Sequence, residues 1–331
     1  MPVVRRLLTA TSALGALIGV GATWVASRPR PDLADPTVPD PPPGLPPARI
    51  VAVPGHGELF VREAGPADGP PVVLLHGWIY PADLTWWTCY GPLAATARVI
   101  AMDYRGHGRG PRPAKPFRLA DAADDVAALL RHLDVSPAVA VGYSMGGPVA
   151  QLLWQRHPGL VRGLVLCATS STWTASPRMR WGWRLIGIFQ VLLRVIPRHW
   201  WERLYYAQAT GQLPVPISQM INPDTPRELL ELLPWIIAEL DRGSAEDVAE
   251  AGRELSRYDA RGWLATVDVP AAVLVTTRDS LVPVDHQRDL AARIPFARTF
   301  DVDGDHDVVI ARPEIFVPQL LAAVRAVLDA S

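Results

Sequence analysis

The amino-acid sequence predicts an α/β fold, with a mostly parallel, doubly wound sheet that is interrupted once by a helical insertion. Short apolar runs of strand length alternate with helix-like stretches along most of the chain. This alternation stops between Ala168 and Ala271, where only helical patterns occur. A chain of 331 residues that is 49% hydrophobic can bury a large core. The alternation therefore predicts the sheet, and the gap in it predicts the insertion.

The predicted elements follow one another in chain order. The apolar runs predicted as strands are 72–75, 98–102, 138–141, 163–168, 269–276 and 298–302. A helix-like stretch follows the third run at 148–157. The helical stretches predicted in the insertion are 178–196, 199–210, 226–242 and 245–257. Strands that alternate with helices in this way favour parallel pairing in one sheet.

A Gly-x-Ser-x-Gly sequence, Gly142-Tyr143-Ser144-Met145-Gly146, lies between the third strand and the helix after it. A serine on a sharp strand-to-helix turn needs small neighbours, because the chain must pass close by and leave Oγ exposed. The free N–H groups at the start of the helix then point to the place where an oxyanion would form. The context predicts that Ser144 is a nucleophile. The alternative is a glycine-rich turn with a capping serine.

Two other segments can complete a catalytic triad with this serine. Asp279 follows the strand 269–276, and His306 follows the strand 298–302, so the chain order is Ser144, Asp279, His306. The imidazole takes the serine proton and returns it to the leaving group, and a carboxylate fixes its tautomer. Both side chains come just after the carboxyl ends of strands, where open α/β sheets place their sites.

The strand 72–75 ends in the loop His76-Gly77-Trp78. Such a loop can contribute one backbone N–H group to an oxyanion hole, and the residue after the nucleophile contributes another. We therefore predict that the amides of Trp78 and Met145 stabilise a tetrahedral oxyanion.

With these motifs the chain resembles the α/β-hydrolase superfamily over roughly residues 49–329. The turn 103–108 and the ending 306–314 are also similar to that family. The resemblance implies an α/β-hydrolase fold whose insertion forms a helical cap over the serine. It also implies that the triad acid is Asp279 and not its neighbour Asp285. The chain departs from the family at Asp305, where the family usually has glycine, and this adds negative charge beside His306.

The predicted domain organisation has five segments. They are an N-terminal signal-anchor or signal peptide at 1–27, a proline-rich linker at 28–48, the first part of the core at 49–171, the cap at 172–262 and the second part of the core at 263–331. Arginines flank a charge-free run at 7–26 that is long enough for a bilayer core. We expect a membrane-anchored protein with its catalytic domain outside the cytoplasm. Secretion after signal cleavage is the alternative.

Half of the twelve tryptophans fall in the insertion. They are Trp173, Trp181, Trp183, Trp200, Trp201 and Trp235. Aromatic residues also fill ordinary cores, so a structural role stays open for each of them. Together they favour a large apolar acyl or aromatic group in the substrate. We predict that Trp86, Trp173 and Trp181 contact it.

The expected function is that of a serine hydrolase, similar to carboxylesterases and lipases, which cleaves carboxylic esters through an acyl-enzyme intermediate. C–C bond hydrolysis, haloperoxidase-like perhydrolysis and acyl transfer on the same triad stay open. A non-catalytic lipid-binding module is the alternative from another class. We expect a small-molecule ester or lipid-like substrate and no cofactor, because no Cys/His/carboxylate cluster has zinc-like spacing. The net charge of −1 gives no electrostatic case for binding nucleic acid.

Overall fold

The computed structural model describes residues 40–112, 114–173, 227–243 and 245–331, together with the single residues 192, 195 and 200. The strands are β1 (Ala48–Val53), β2 (Gly57–Ala64), β3 (Pro71–Leu75), β4 (Arg98–Met102), β5 (Ala138–Tyr143), β6 (Val161–Cys167), β7 (Ala271–Thr276) and β8 (Arg298–Val302). The helices are α1 (Ala82–Trp86), α2 (Tyr90–Ala94), α3 (Leu119–His132), α4 (Gly146–Arg156), α5 (Arg227–Glu231), α6 (Leu233–Asp241), α7 (Ala245–Leu255), α8 (Val284–Arg293), α9 (Val308–Ala311) and α10 (Pro313–Leu328).

The strands form one eight-stranded sheet in the order β1-β2-β4-β3-β5-β6-β7-β8. Strand β2 is antiparallel to both of its neighbours, β1 and β4. The other strands pair in parallel from β4 to β8. The prediction of a mostly parallel sheet with flanking helices is therefore confirmed.

Apolar side chains cover both faces of this sheet, because successive residues of a strand point to opposite sides. Val73 and Ile100 belong to the cluster that includes α3, α4 and α8. Val72 and Val99 belong to the cluster that includes α1, α2 and α10. Strands β5 and β7 are buried along their whole length, which explains their uninterrupted apolar sequences.

The two ends of the insertion meet at a short stem beside the sheet. Thr172 and Asp259 form an antiparallel bridge. The Trp173 amide donates to the Tyr258 carbonyl at 3.1 Å, and the Ala260 amide donates to the Ser171 carbonyl at 2.8 Å. The predicted helices at 178–196 and 199–210 fall in the part of the insertion that lies outside the described residues, apart from three single positions. The cap boundaries at 172 and 262 stay a prediction.

Helices α6 and α7 of the insertion are attached to core loops by polar contacts. The guanidinium of Arg109 donates two hydrogen bonds to the Glu239 carboxylate on α6, at 2.8 and 2.5 Å. Glu239 is buried, and a two-pronged pair of this kind fixes orientation as well as position. On α7, Glu250 accepts a hydrogen bond from the Phe117 amide at 2.8 Å. The described end of the insertion is therefore fastened to the core.

The predicted membrane location is not supported by the structure. Within the described parts of the chain, no helix is long and apolar enough to cross a bilayer. The expected anchor at 1–27 lies outside the described residues. Its apolar run is interrupted by glycine, serine and threonine, which weakens it as a spanning segment. No described helix therefore supports a membrane anchor.

Candidate active site

Ser144 occupies a sharp turn between β5 and α4. Its φ angle is +53°, in the left-handed region that residues other than glycine rarely adopt. The Ser144 amide donates to the Cys167 carbonyl at 2.9 Å, and the Thr169 hydroxyl donates to the Ser144 carbonyl at 2.8 Å. A Cβ atom at Gly146 would lie 2.0 Å from the Leu75 carbonyl oxygen, so no side chain fits there. The surrounding backbone therefore holds the serine in a strained conformation.

The structure brings the three predicted triad side chains together. His306 Nε2 lies 3.0 Å from Ser144 Oγ. His306 Nδ1 lies 2.9 Å from Asp279 Oδ2. The serine follows β5, the aspartate follows β7 and the histidine follows β8, so the side chains meet at the carboxyl edge of the sheet. Asp285 is exposed on α8, whereas Asp279 is buried and paired with the imidazole.

Hydrogen-bond donors surround the Asp279 carboxylate. Oδ1 accepts the amides of Leu281 and Val282 at 2.9 and 2.7 Å. Oδ2 accepts the Thr276 hydroxyl at 2.6 Å as well as the imidazole. Burial opposes the charged form, but the His306 charge and the hydrogen bonds from His306, Thr276 and Val282 lower the pKa of Asp279 below its ordinary value. The acid is therefore ionised at neutral pH.

Three carboxylates act on the His306 imidazole. Burial works to lower the pKa of His306, but Asp279, by its charge and its hydrogen bond, and then the charges of Asp307 and Asp305, raise it above its ordinary value of 6.5. Asp305 also accepts the Ser280 amide at 2.8 Å and the His306 amide at 2.7 Å. Asp305 therefore connects the loop that contains Asp279 to the loop that contains His306.

The loop His76-Gly77-Trp78 lies beside the serine. A Cβ atom at Gly77 would be 3.6 Å from Ser144 Cβ. His76 is fully buried, donates from Nδ1 to the Gly77 carbonyl at 2.7 Å and accepts the Tyr104 amide at Nε2 at 3.0 Å. Burial lowers the pKa of His76 to about 4, so the neutral ring keeps this donor and acceptor pattern. The ring holds the loop in place.

A family model described as the alpha/beta hydrolase fold matches residues 70–313, which is most of the chain. The chain belongs to the α/β-hydrolase family.

Relatives in this family differ in the reactions that their names describe. A pimeloyl-[acyl-carrier protein] methyl ester esterase of Neisseria meningitidis serogroup B is 32% identical over 230 residues, covering 67% of this chain and 80% of the relative. A non-heme chloroperoxidase of Streptomyces lividans is 28% identical over 278 residues, covering 81% of this chain and 96% of the relative. The crystal structure of the enol-lactonase from Burkholderia xenovorans LB400 superposes with a TM-score of 0.65 at 23% identity, covering 84% of this α/β hydrolase and 100% of the lactonase.

Four of the five predicted oxyanion and substrate residues are described, and all four are buried. Met145 is buried at the N-terminus of α4, and Trp78 is buried less completely. Trp86 is fully buried and packs edge-to-face on Tyr143, with ring centroids 6.1 Å apart. Trp173 is buried at the stem of the insertion, and Trp181 lies outside the described residues. The roles of these residues in oxyanion and substrate binding stay predictions.

Some residues at this site were not singled out in the sequence. The Tyr143 hydroxyl donates to the His306 carbonyl, and Thr276 and Gln287 contact Asp279. Only Gln287 has a sequence signal: it shares a buried helical face with Leu290, at the i+3 position, where an apolar residue is expected. Within the described residues, no group of three or more His, Cys, Asp or Glu side chains is arranged to hold a metal.

Proposed function

We propose that the protein is a serine hydrolase that cleaves carboxylic esters with an apolar acyl or aromatic group. One observation carries the proposal: a serine held at a φ of +53° lies 3.0 Å from an imidazole whose other nitrogen lies 2.9 Å from a buried carboxylate. This arrangement can deprotonate a hydroxyl and stabilise the resulting imidazolium.

The reaction proceeds in two steps. Ser144 Oγ attacks the ester carbonyl while His306 Nε2 takes the hydroxyl proton, and the Trp78 and Met145 amides stabilise the oxyanion. The imidazolium gives that proton to the leaving alcohol as the C–O bond breaks, which leaves an acyl-serine. Water then gives a proton to Nε2 and attacks the acyl carbon. The same proton returns to Ser144 as the carboxylic acid leaves.

Relatives support the reaction class. The Neisseria relative is named as a methyl ester esterase, and the Burkholderia structure is named as an enol-lactonase. Both names describe cleavage of an ester bond. Apart from Trp173 and Trp235, which are buried in the core clusters, the tryptophans in the sequence of the insertion support an apolar or aromatic acyl group.

Ser144→Ala tests the proposal directly. We expect the variant to lose turnover of short p-nitrophenyl esters by about 10⁵-fold or more, because the nucleophile and its proton are removed. It should also lose covalent labelling by a fluorophosphonate probe. Ser136→Ala, a substitution of an exposed serine at the opposite end of β5 from Ser144, is the control and should keep its labelling. Labelling that persists in Ser144→Ala would contradict the assignment.

Perhydrolysis is a second candidate, favoured by the similarity to a protein named as a non-heme chloroperoxidase. In that reaction hydrogen peroxide replaces water, attacks the acyl-serine and leaves as a peracid. Assays with acetate, bromide and peroxide, with halogenation of a phenol as the readout, distinguish the two activities. Halogenation that depends on Ser144 and exceeds ester turnover would favour this candidate.

A further inference from the structure

Gln287 is a fully buried amide on α8 that faces the loop containing Asp279. Its Oε1 accepts the Thr276 amide at 3.0 Å. Its Nε2 lies 2.8 Å from Thr276 Oγ1, 2.9 Å from the Val282 carbonyl and 3.2 Å from Asp279 Oδ2. All of these partners belong to the end of β7 or to the loop that follows it.

The protons available at these atoms fix the direction of the hydrogen bonds. The Val282 carbonyl and the Asp279 carboxylate can only accept, so the NH₂ end of Gln287 must face them. With the amide reversed, Oε1 would face these acceptor oxygens and the Thr276 amide would face an NH₂ group. The NH₂ group has two protons, and its two shorter contacts, to Thr276 Oγ1 and to the Val282 carbonyl, take them. The single hydroxyl proton of Thr276 is then directed to Asp279 Oδ2 at 2.6 Å, which is nearer than Gln287 Oε1 at 3.1 Å. A continuous series of donors therefore runs from Gln287 through Thr276 to the carboxylate.

The oxygen at the end of this series is the one that faces the imidazole. Asp279 Oδ2 accepts from both Thr276 and His306 Nδ1, at 2.6 and 2.9 Å. The Val282 amide holds the other carboxylate oxygen at 2.7 Å, while the Val282 carbonyl accepts from Gln287 at 2.9 Å. The carboxylate cannot rotate away from His306 without breaking several of these bonds.

We propose that Gln287 is a positioning residue that, through Thr276 and Val282, keeps Asp279 Oδ2 directed at His306 Nδ1. This inference rests on the proposed function, since it requires that Asp279 and His306 act on Ser144. An apolar side chain of similar size would fill the same volume. Burying a polar amide costs free energy unless its hydrogen bonds are made. Here all of them are made to the end of β7 and to the loop that contains Asp279.

Gln287→Met keeps the length of the side chain and removes all of its hydrogen bonds. We expect kcat for a p-nitrophenyl ester to fall about tenfold to a hundredfold, with KM changed about twofold or less, because Gln287 does not touch the substrate. The acid limb of the pH–kcat/KM profile should move to lower pH, since a carboxylate that rotates away no longer raises the pKa of His306. Leu290→Met, at a buried position on the same helix, is the packing control and should change neither quantity.

A second pair of variants, at Thr276, tests the next member of the series of hydrogen bonds from Gln287 to Asp279. Thr276→Val removes the hydroxyl and should lower kcat to a similar extent, whereas Thr276→Ser keeps the hydroxyl and should restore kcat to near the wild-type value. This pair also decides the question if Gln287→Met does not fold. A serine variant as impaired as the valine variant would show that packing, and not the hydroxyl proton, matters at this position.

Ser144→Ala, measured in parallel, separates this inference from the proposed function. If Ser144→Ala keeps its labelling, the proposed function fails. If Ser144→Ala is inactive while folded Gln287→Met and Thr276→Val both have wild-type kcat and an unshifted acid limb, the positioning role alone is overturned.

Discussion

At the scale of single residues, the charges around His306 set the pH range in which the site can work. The imidazole must be neutral to take the serine proton. Because Asp279, Asp307 and Asp305 raise the pKa of His306, the imidazole stays protonated to a higher pH than an ordinary histidine. Burial also raises the pKa of Asp307 to about 6, so this neighbour is charged above that pH and loses its charge as the pH falls below it.

We therefore expect kcat/KM for ester hydrolysis to fall as the pH drops through a midpoint above 6.5, the ordinary histidine value. Asp305→Asn keeps an oxygen that can accept from Ser280 but removes one negative charge. The midpoint should then move to lower pH by about half a unit. Full pH–rate profiles measure it, and Asp301→Asn, on the exposed face of β8, is the charge-matched control. Identical midpoints in the wild type and Asp305→Asn would contradict this account.

At the scale of elements, α7 is attached to the loop predicted to form the oxyanion hole. The Trp78 indole donates to the Val248 carbonyl on α7 at 2.7 Å. A Cβ atom at Gly252, one turn further along α7, would lie 2.1 Å from Trp78 Cζ2. The residue whose amide is the predicted oxyanion donor is therefore held in place by the insertion, and its position depends on that of α7.

Gly252→Ala should displace either the indole or α7. We expect kcat/KM to fall about tenfold and the free energy of unfolding to fall by about 1–3 kcal/mol, as in other overpacked sites. Steady-state kinetics and urea unfolding measure the two effects. Gly262→Ala is the matched control, because a Cβ atom there meets nothing within 4 Å. Wild-type kinetics in Gly252→Ala would show that α7 and the oxyanion loop are independent.

Most of the elements that were predicted well are strands whose burial on both faces of the sheet requires a continuous apolar sequence. Strands β4 and β8 begin and end at the predicted residues, and β5 and β7 were found because burial on both faces requires continuous apolar runs. The hairpin of β1 and β2 was missed. Strand β1 lies at the edge of the sheet with only Val51 and Val53 buried, and its apolar run 50–53 is followed by a second strand and not by a helical pattern, so the alternation of strands and helices does not reveal it.

The candidate site also contains residues that could be predicted from the sequence and residues that could not. Ser144, Asp279 and His306 could be proposed because their chemistry restricts the residue types and their order along the chain. The contacts of Gln287 and Tyr143 depend on which loops the fold brings together, and residue type alone does not reveal this. Composition alone does not show whether a tryptophan lies in a binding site or in the core. Trp86 packs on Tyr143 in the core, and its contact with substrate stays a prediction.

At the scale of the whole molecule, two buried histidines make stability depend on pH. Burial lowers the pKa of His76 to about 4 and that of His107 to about 3. Unfolding exposes both rings, which then take up protons below pH 6.5. The unfolded state therefore binds more protons than the folded state in this range, and stability is lost as the pH falls. The pKa of His306 is raised, so its contribution to stability is lost as the pH rises above 6.5.

We expect the free energy of unfolding to be about 1–3 kcal/mol lower at pH 5 than at pH 6.5, because Asp307, whose raised pKa of about 6 acts in the opposite sense, offsets part of the effect of the two histidines. Urea unfolding followed by tryptophan fluorescence measures the difference. His76→Gln should reduce it, because one of the two buried imidazoles is gone. His132→Gln, at an exposed position, should leave it unchanged. Equal stability at the two pH values in the wild type would contradict this prediction.

The stem formed by Thr172 and Asp259 has a consequence for how the activity of this protein could diversify. The chain leaves the core and returns to it at neighbouring points, so the segment in between can change in length and sequence without altering the spacing of β6 and β7. Ser144, Asp279 and His306 all lie outside that segment. Exchanging the part of it that precedes α6 between family members should transfer substrate preference while the chemistry of bond cleavage stays the same, because α6 and α7, which hold Arg109 and Trp78, are then kept.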